Sequence, residues 1–218
     1  MRKLHHIAPF LRQRAIIVLQ EVRGSRQLLI ESLKQVTSEY DVHFCAAPLH
    51  EDGSPAGYGG VAVLVPHSAA DVIAALTAED RPQQWQDIVV PGRVQVVHIH
   101  NPMSNASMRI MNVHNFDFTA PQLAATAAAW HAAACWAAED VENRTFIAIG
   151  DFNLNATQTA SYIHPAPGQA RRPAVRYRQH PRQWKDMFDD QMVEVTSELP
   201  TRYDKTTDTA TCIDRAFV

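Results

Sequence analysis

The chain has 218 residues, 46% of them hydrophobic and 20% charged, which is enough for one sizeable soluble domain with its own core. Its net charge is −3, so bulk charge does not advertise a nucleic-acid binder, and any such surface needs a local basic patch. No signal-peptide pattern follows Met1-Arg2-Lys3, and no apolar run is long enough to span a membrane. The three cysteines, Cys45, Cys135 and Cys212, form no CxxC or Cys/His cluster. They predict no zinc framework but buried free thiols in a reducing, intracellular compartment.

Leu4, Ile7 and Leu11 recur at helical spacing and predict a helix within 1–14, with Pro9 inside the pattern. Ala15 to Leu19 reads as a buried strand ending in the polar pair Gln20-Glu21. Ser25 then suits an N-cap for a helix presenting Leu29, Leu33 and Val36 on one face. A glutamate that ends a buried strand either emerges into solvent or is paired or bound to a cation. Residues 41–45 predict a strand. Residues 46–60 hold Pro48, Gly53, Pro55, Gly57, Gly59 and Gly60 and predict a loop. Val61 to Val65 is another buried strand, and Ser68 can cap a short helix to about Glu79. Asp87–Val90, Pro91-Gly92 and Val94–Ile99 predict a hairpin. Its His98 and His100 share a strand face without a third ligand nearby, which favours ordinary strand histidines over a metal site.

Ile110 to Val113 is a strand ending at His114. Thr119-Ala120-Pro121-Gln122 has the form of a capping box. The helix it opens carries Leu123, Trp130, Ala134, Ala137 and Val141 as an apolar stripe and leads into the strand Thr145–Ile149. Residues 109–150 are therefore a strand–helix–strand crossover. After that strand Gly150 permits a turn, and Asp151 and Asn153, two apart, point the same way. Ligand sites in α/β folds collect at such strand ends. A carboxylate there can take a proton from water or hold a divalent cation, and an amide can donate to a phosphate oxygen. Residues 164–185 form the concentrated basic stretch: Arg171, Arg172, Arg176, Arg178, Arg182 and Lys185, with His180, Tyr177 and Trp184 interleaved. This is either a solvated loop running into a helix at about 181–195, or a phosphate-contacting loop whose aromatic residues stack on bases. The strand Thr211–Val218 carries the carboxylate Asp214.

Four of these stretches, in this order, resemble the endonuclease/exonuclease/phosphatase (DNase I-like) superfamily. They are Gln20-Glu21, the strand ending at His114, Gly150-Asp151-Phe152-Asn153, and Ile213-Asp214-Arg215. The longer string Leu19-Gln20-Glu21-Val22-Arg23 followed by Ser25 is similar to DNase I and to retroelement endonucleases of that superfamily. The resemblance implies an α/β fold, a four-layer α/β/β/α sandwich of two packed mixed β-sheets. It also implies divalent-metal-dependent phosphodiester hydrolysis, of the DNA endonuclease, retroelement kind. In that scheme Glu21 holds Mg²⁺ or Mn²⁺, and Asp151 helps hold the metal and activates the attacking water. His114 and Asn153 donate to phosphate oxygens. Asp214 orients a histidine that lies further along in the family, in a Ser-Asp-His motif. Arg23 and the arginines 171, 172, 176 and 178 are the candidates for nucleic-acid contact.

Many members carry an Asn three residues past the histidine, where this chain has Asp117; Asn115 is the nearest substitute. The family also opens with an Asn-bearing strand. The expectation is a single domain over 1–218 that is incomplete at both termini, without that strand and without the Ser-Asp-His segment. The implied partner is nucleic acid, DNA before RNA, with no membrane and with a reverse transcriptase in a longer parent protein; the implied place is intracellular, the nucleus included. Two other readings stand beside this one. One is a catalytically inactive nucleic-acid-binding remnant. The other is a phosphatase or lipid phosphodiesterase of the same superfamily, which the absence of a Trp before Cys212 and of a signal peptide disfavours.

Overall fold

The strand Val61–Pro66 is buried at all six positions, and its two faces meet different partners. Val63 and Val65 pack on Val97, Ile99 and Ile110. Ala62 and Leu64 pack on Leu11, Ile17, Leu29, Tyr40 and Val42. A strand apolar on both faces has to be covered on both, and this requirement sets the layers. The computed structural model describes residues 4–32, 39–48, 59–67, 83–101, 104–115, 118–152, 161–163, 184, 192–195, 202–204, 209–211 and 214–218.

Within these residues the chain runs α1 (Leu4–Arg12), β1 (Ile17–Leu19), α2 (Arg26–Ser32), β2 (Tyr40–Cys45) and β3 (Val61–Pro66). Then come β4 (Gln83–Val90), β5 (Val94–His100), β6 (Ser107–His114), α3 (Ala120–Ala138) and β7 (Arg144–Asp151). The last elements are β8 (Ser161–Ile163), β9 (Glu194–Val195), β10 (Arg202–Asp204), β11 (Thr209–Thr211) and β12 (Asp214–Phe217). One sheet has the order β1-β3-β2 and another the order β4-β5-β6-β7-β12-β9. A small third sheet has the order β10-β11-β8. The first sheet is antiparallel in its described pairs. The mixed character lies in the second, where β6 and β7 are parallel and their neighbours antiparallel.

The two larger sheets pack face to face through the Val63–Ile110 cluster. Residues of α1 and α2 lie against the outer face of the first sheet, and α3 lies against the outer face of the second, over Val96, Met111, Val113 and Ala148. The order is helix, sheet, sheet, helix, as expected. The β6–α3–β7 unit is the crossover read from the sequence, and its helix starts where the capping box put it. Thr119 Oγ1 accepts from Gln122 N–H at 3.4 Å while Gln122 Oε1 accepts from Thr119 N–H at 2.9 Å. Such a cap contributes about 1 kcal/mol. Leu28 N–H donates to Ser25 Oγ at 3.2 Å, so Ser25 caps α2. Leu33 and Val36 lie outside the described residues, as do the helix expected from Ser68 and most of the 46–60 loop.

Four local expectations are corrected. The buried face of α3 is Leu123, Thr126, Trp130 and Ala133. Val141 lies beyond the end of that helix and is exposed. The helix expected at about 181–195 does not reach its end, because Glu194–Val195 is a strand on the edge of β12. Val193 N–H and Val218 N–H each donate to the other's carbonyl, and that ladder outweighs a weak helical pattern whose end carries the β-branched Val193 and Val195. Trp184 does not await a base. It is fully buried, edge-on to Phe152 at 5.5 Å between centroids and tilted against Phe118 at 6.0 Å. Cys45 is a buried thiol as expected, but Cys135 is exposed on α3.

Candidate active site

The register of the second sheet puts three expected site residues in one row. His114 of β6 is the partner of Asp151 of β7, and Asp151 is the partner of Asp214 of β12. All three stand at strand ends, on the same end of the sheet. Gly150 makes the row possible, though not by turning the chain: β7 continues through Asp151. At φ +155° a Cβ on Gly150 would stand 1.9 Å from the Val113 carbonyl oxygen, so glycine lets the two strands approach. Asn115 braces the same end. Its backbone N–H donates to Asp151 O at 2.8 Å, and its Nδ2 donates to Phe152 O at 2.6 Å. That side chain is thus engaged with the backbone of the strand end.

Glu21 arrives from the other sheet. Asn112, wholly buried in β6, donates from Nδ2 to Leu19 O at 3.0 Å and Ala62 O at 3.1 Å. Its Oδ1 accepts from Gln20 Nε2 at 2.8 Å. One buried amide therefore ties β1 and β3 to β6 immediately before Glu21. Glu21 itself has φ +54°, a left-handed conformation that costs a residue with a Cβ roughly 1–2 kcal/mol. The next residue is gripped: Val22 N–H donates to Gly60 O, and Gly60 N–H to Gly92 O, both at 2.9 Å. A Cβ on Gly60, whose φ is +83°, would stand 2.0 Å from Val22 O. The result is a half-exposed Glu21 carboxylate whose Oε1 lies 3.8 Å from His114 Nε2.

His114 is 1% exposed. Its backbone N–H donates to Arg93 O at 2.8 Å, and its Nδ1 lies 3.3 Å from Arg93 Nη1. Burial holds the imidazole below its usual range, the Arg93 charge pushes the same way, and Glu21 opposes both. The ring is therefore neutral at pH 7.

Among the described residues no cluster of three or more His, Cys, Asp or Glu side chains converges. The donor set on offer is carboxylate oxygen from Glu21 and Asp151. Magnesium is commonly held by one or two carboxylates, water and substrate phosphates, not by an all-protein cage, so these residues fit it.

The family model of endonucleases, exonucleases and phosphatases matches residues 1–218. The chain belongs to that family. Members of this family hydrolyse phosphate esters, and the chain shares their fold. Over 99% of its length it superposes on the AP endonuclease LMAP from Leishmania major, covering 74% of that chain at TM-score 0.67 and 12% identity. It superposes likewise on the 3'-5' exonuclease NExo from Neisseria meningitidis, covering 99% of this chain and 81% of that one, at TM-score 0.56 and 15% identity. Truncated TDP2 from Caenorhabditis elegans matches at TM-score 0.51 and 14% identity, over 99% of this chain and 74% of that one. No curated protein sequence matches the chain.

Of the expected site residues, the structure brings together Glu21, His114 and Asp151, with the Asp214 backbone beside Asp151. Arg23 is exposed after the Glu21 turn. Asn153, the side chain of Asp214, and Arg171, Arg172, Arg176 and Arg178 lie outside the described residues and side chains. Asp117 does as well. Sequence reading missed Asn112 and Arg93. A polar residue inside the apolar run Ile110–Val113 was a usable signal for Asn112. Nothing local marked Arg93.

Proposed function

We propose that this chain is a divalent-metal-dependent phosphodiesterase that cleaves DNA endonucleolytically. The observation that carries the reading is convergence across the two sheets: Glu21 Oε1 lies 3.8 Å from His114 Nε2, and His114 stands in register with Asp151. Glu21 and Asp151 would hold Mg²⁺ or Mn²⁺. When bound, the ion supplies Lewis-acid polarisation of the phosphate and steadies the leaving oxygen.

The remaining chemistry belongs to side chains. Asp151, half-buried at the end of β7, accepts the proton of the attacking water as the new phosphorus–oxygen bond forms and the ester bond breaks. His114, neutral and buried, donates to a non-bridging oxygen as charge grows there, where low local dielectric makes such a bond worth more than in water. Asn153 adds a second donor, and Asp214, beside Asp151 in register, orients a further acid–base group. Arg23 and the arginines at 171, 172, 176 and 178 grip the phosphate backbone without reading sequence. The retroelement assignment rests on the string Leu19 to Arg23 with Ser25. Family membership supports phosphoester hydrolysis, and the carboxylate pair supports the metal.

The test is plasmid nicking by the full chain with Mg²⁺ or with EDTA, beside Asp151→Ala. We expect metal-dependent nicking that falls on the order of 10²–10⁴-fold in the variant. Folded protein that never nicks, or nicks equally without Asp151, would sink the assignment.

A further inference from the structure

We infer that Arg93 is a positioning residue that selects the tautomer of His114, leaving Nδ1 unprotonated and the ring proton on Nε2, on the side of Glu21. The inference rests on reading His114 as a phosphate donor and states what makes it one. A guanidinium has five N–H donors and no acceptor. Its Nη1 stands 3.3 Å from His114 Nδ1, so that nitrogen has to accept. A proton on Nδ1 would set two donors against each other. The proton of the neutral ring therefore sits on Nε2, the atom that lies 3.8 Å from Glu21 Oε1.

This polarity is the reverse of the common one. A histidine whose Nδ1–H donates to a carboxylate or carbonyl presents a bare Nε2, suited to act as a base or a metal ligand. With a donor behind it, His114 presents an N–H. It is suited to hydrogen-bond a phosphate oxygen and unsuited to take a proton from water, which leaves the base role to Asp151.

The backbone makes Arg93 a stiff support. Its carbonyl accepts from His114 N–H at 2.8 Å, so main chain and side chain hold the same residue at two points. The preceding Gly92, at φ +65°, is packed so that a Cβ would stand 2.5 Å from Ala47 Cα. Gly92 N–H also donates to Cys45 Sγ at 3.0 Å. The turn carrying Arg93 is thus fixed on both sides.

The test is long-range ¹H–¹⁵N correlation of the histidine rings in the full chain without substrate, with the His114 signal identified by its loss in His114→Gln. The wild type should show Nε2 protonated and Nδ1 bare. Arg93→Met should lose that preference. Its kcat for nicking should fall on the order of tenfold or more with KM changed little, the pattern of an interaction lost in the transition state. Arg93→Lys, still donor-only, should keep the tautomer and recover part of kcat. Nδ1 protonated in the wild type would overturn the inference, as would Arg93→Met keeping both the wild-type tautomer and kcat. If Arg93→Met does not fold, the wild-type spectrum and the lysine variant decide. The ring spectrum needs no nuclease activity, so it fails or succeeds apart from the assignment of function.

Discussion

The two halves of the candidate site are built in opposite ways. The His114–Asp151–Asp214 row is a product of sheet register, and each residue is where regular pairing puts it. Glu21 is held in a left-handed conformation by a few hydrogen bonds, from Asn112 and Gln20 before it and from Gly60 after it. In the row, function and stability draw on the same ladder. At Glu21 they are opposed, because the conformation that aims the carboxylate carries strain of the kind that gathers at functional sites.

That contrast can be broken most forcefully at Gly150. Gly150→Ala puts a methyl against the Val113 carbonyl and should push β6 and β7 apart. We expect a loss on the order of 4 kcal/mol or more, read as a collapsed urea midpoint. A near-native midpoint would show that the row does not depend on close strand approach. Glu21→Gly should do the opposite. Relief of the left-handed strain should raise stability by roughly 1 kcal/mol while nicking is lost with the metal ligand. A less stable Glu21→Gly protein would refute the strain account.

The smallest effect separates the sheets by pH. Burial lowers the pKa of His98 in β5, its bond to Asp87 opposes this and the Arg109 charge reinforces it. The folded chain therefore binds fewer protons than the unfolded one just below the usual histidine value near 6.5. Stability is full above that value and falls as pH drops through it, by at most about 1.4 kcal/mol per pH unit. The first sheet has the other sign. Burial raises the pKa values of Tyr40 and Cys45, so their contribution is present at neutral pH and is lost as pH rises past 9 to 10, their ordinary values. Urea midpoints across pH should fall at both ends, with His98→Gln making only the acid limb shallower, and not flat, since burial lowers the His114 imidazole as well. An unchanged acid limb in that variant would remove His98 as its cause.

Much of this was legible in the chain because the signals were local. The capping box at Thr119, the Pro91-Gly92 hairpin and the crossover strands flanking α3 follow from short-range patterning. The polar groups ending β1, β6 and β7 were visible as breaks in apolar runs. What escaped depends on distant chain. Arg93 matters because it lies 21 positions from His114 in sequence yet beside it in space. Trp184 looks like an exposed aromatic in a basic stretch until Phe118 and Phe152 are seen to enclose it. Positions 194–195 became strand because β12 had an edge to offer. The positive φ of Glu21 has no composition signal at all, since glycine is the residue such a turn would ordinarily select.

The bond from Gly92 N–H to the Cys45 sulfur gives this protein an internal clock. The turn it anchors touches both halves of the site, through Gly60 toward Glu21 and through Arg93 toward His114. Cys45 is sealed from solvent while Cys135 lies open on α3. A thiol reagent will therefore mark Cys135 without any opening and Cys45 only during excursions in which the turn lifts away. The ratio of the two labelling rates measures how often the site comes apart.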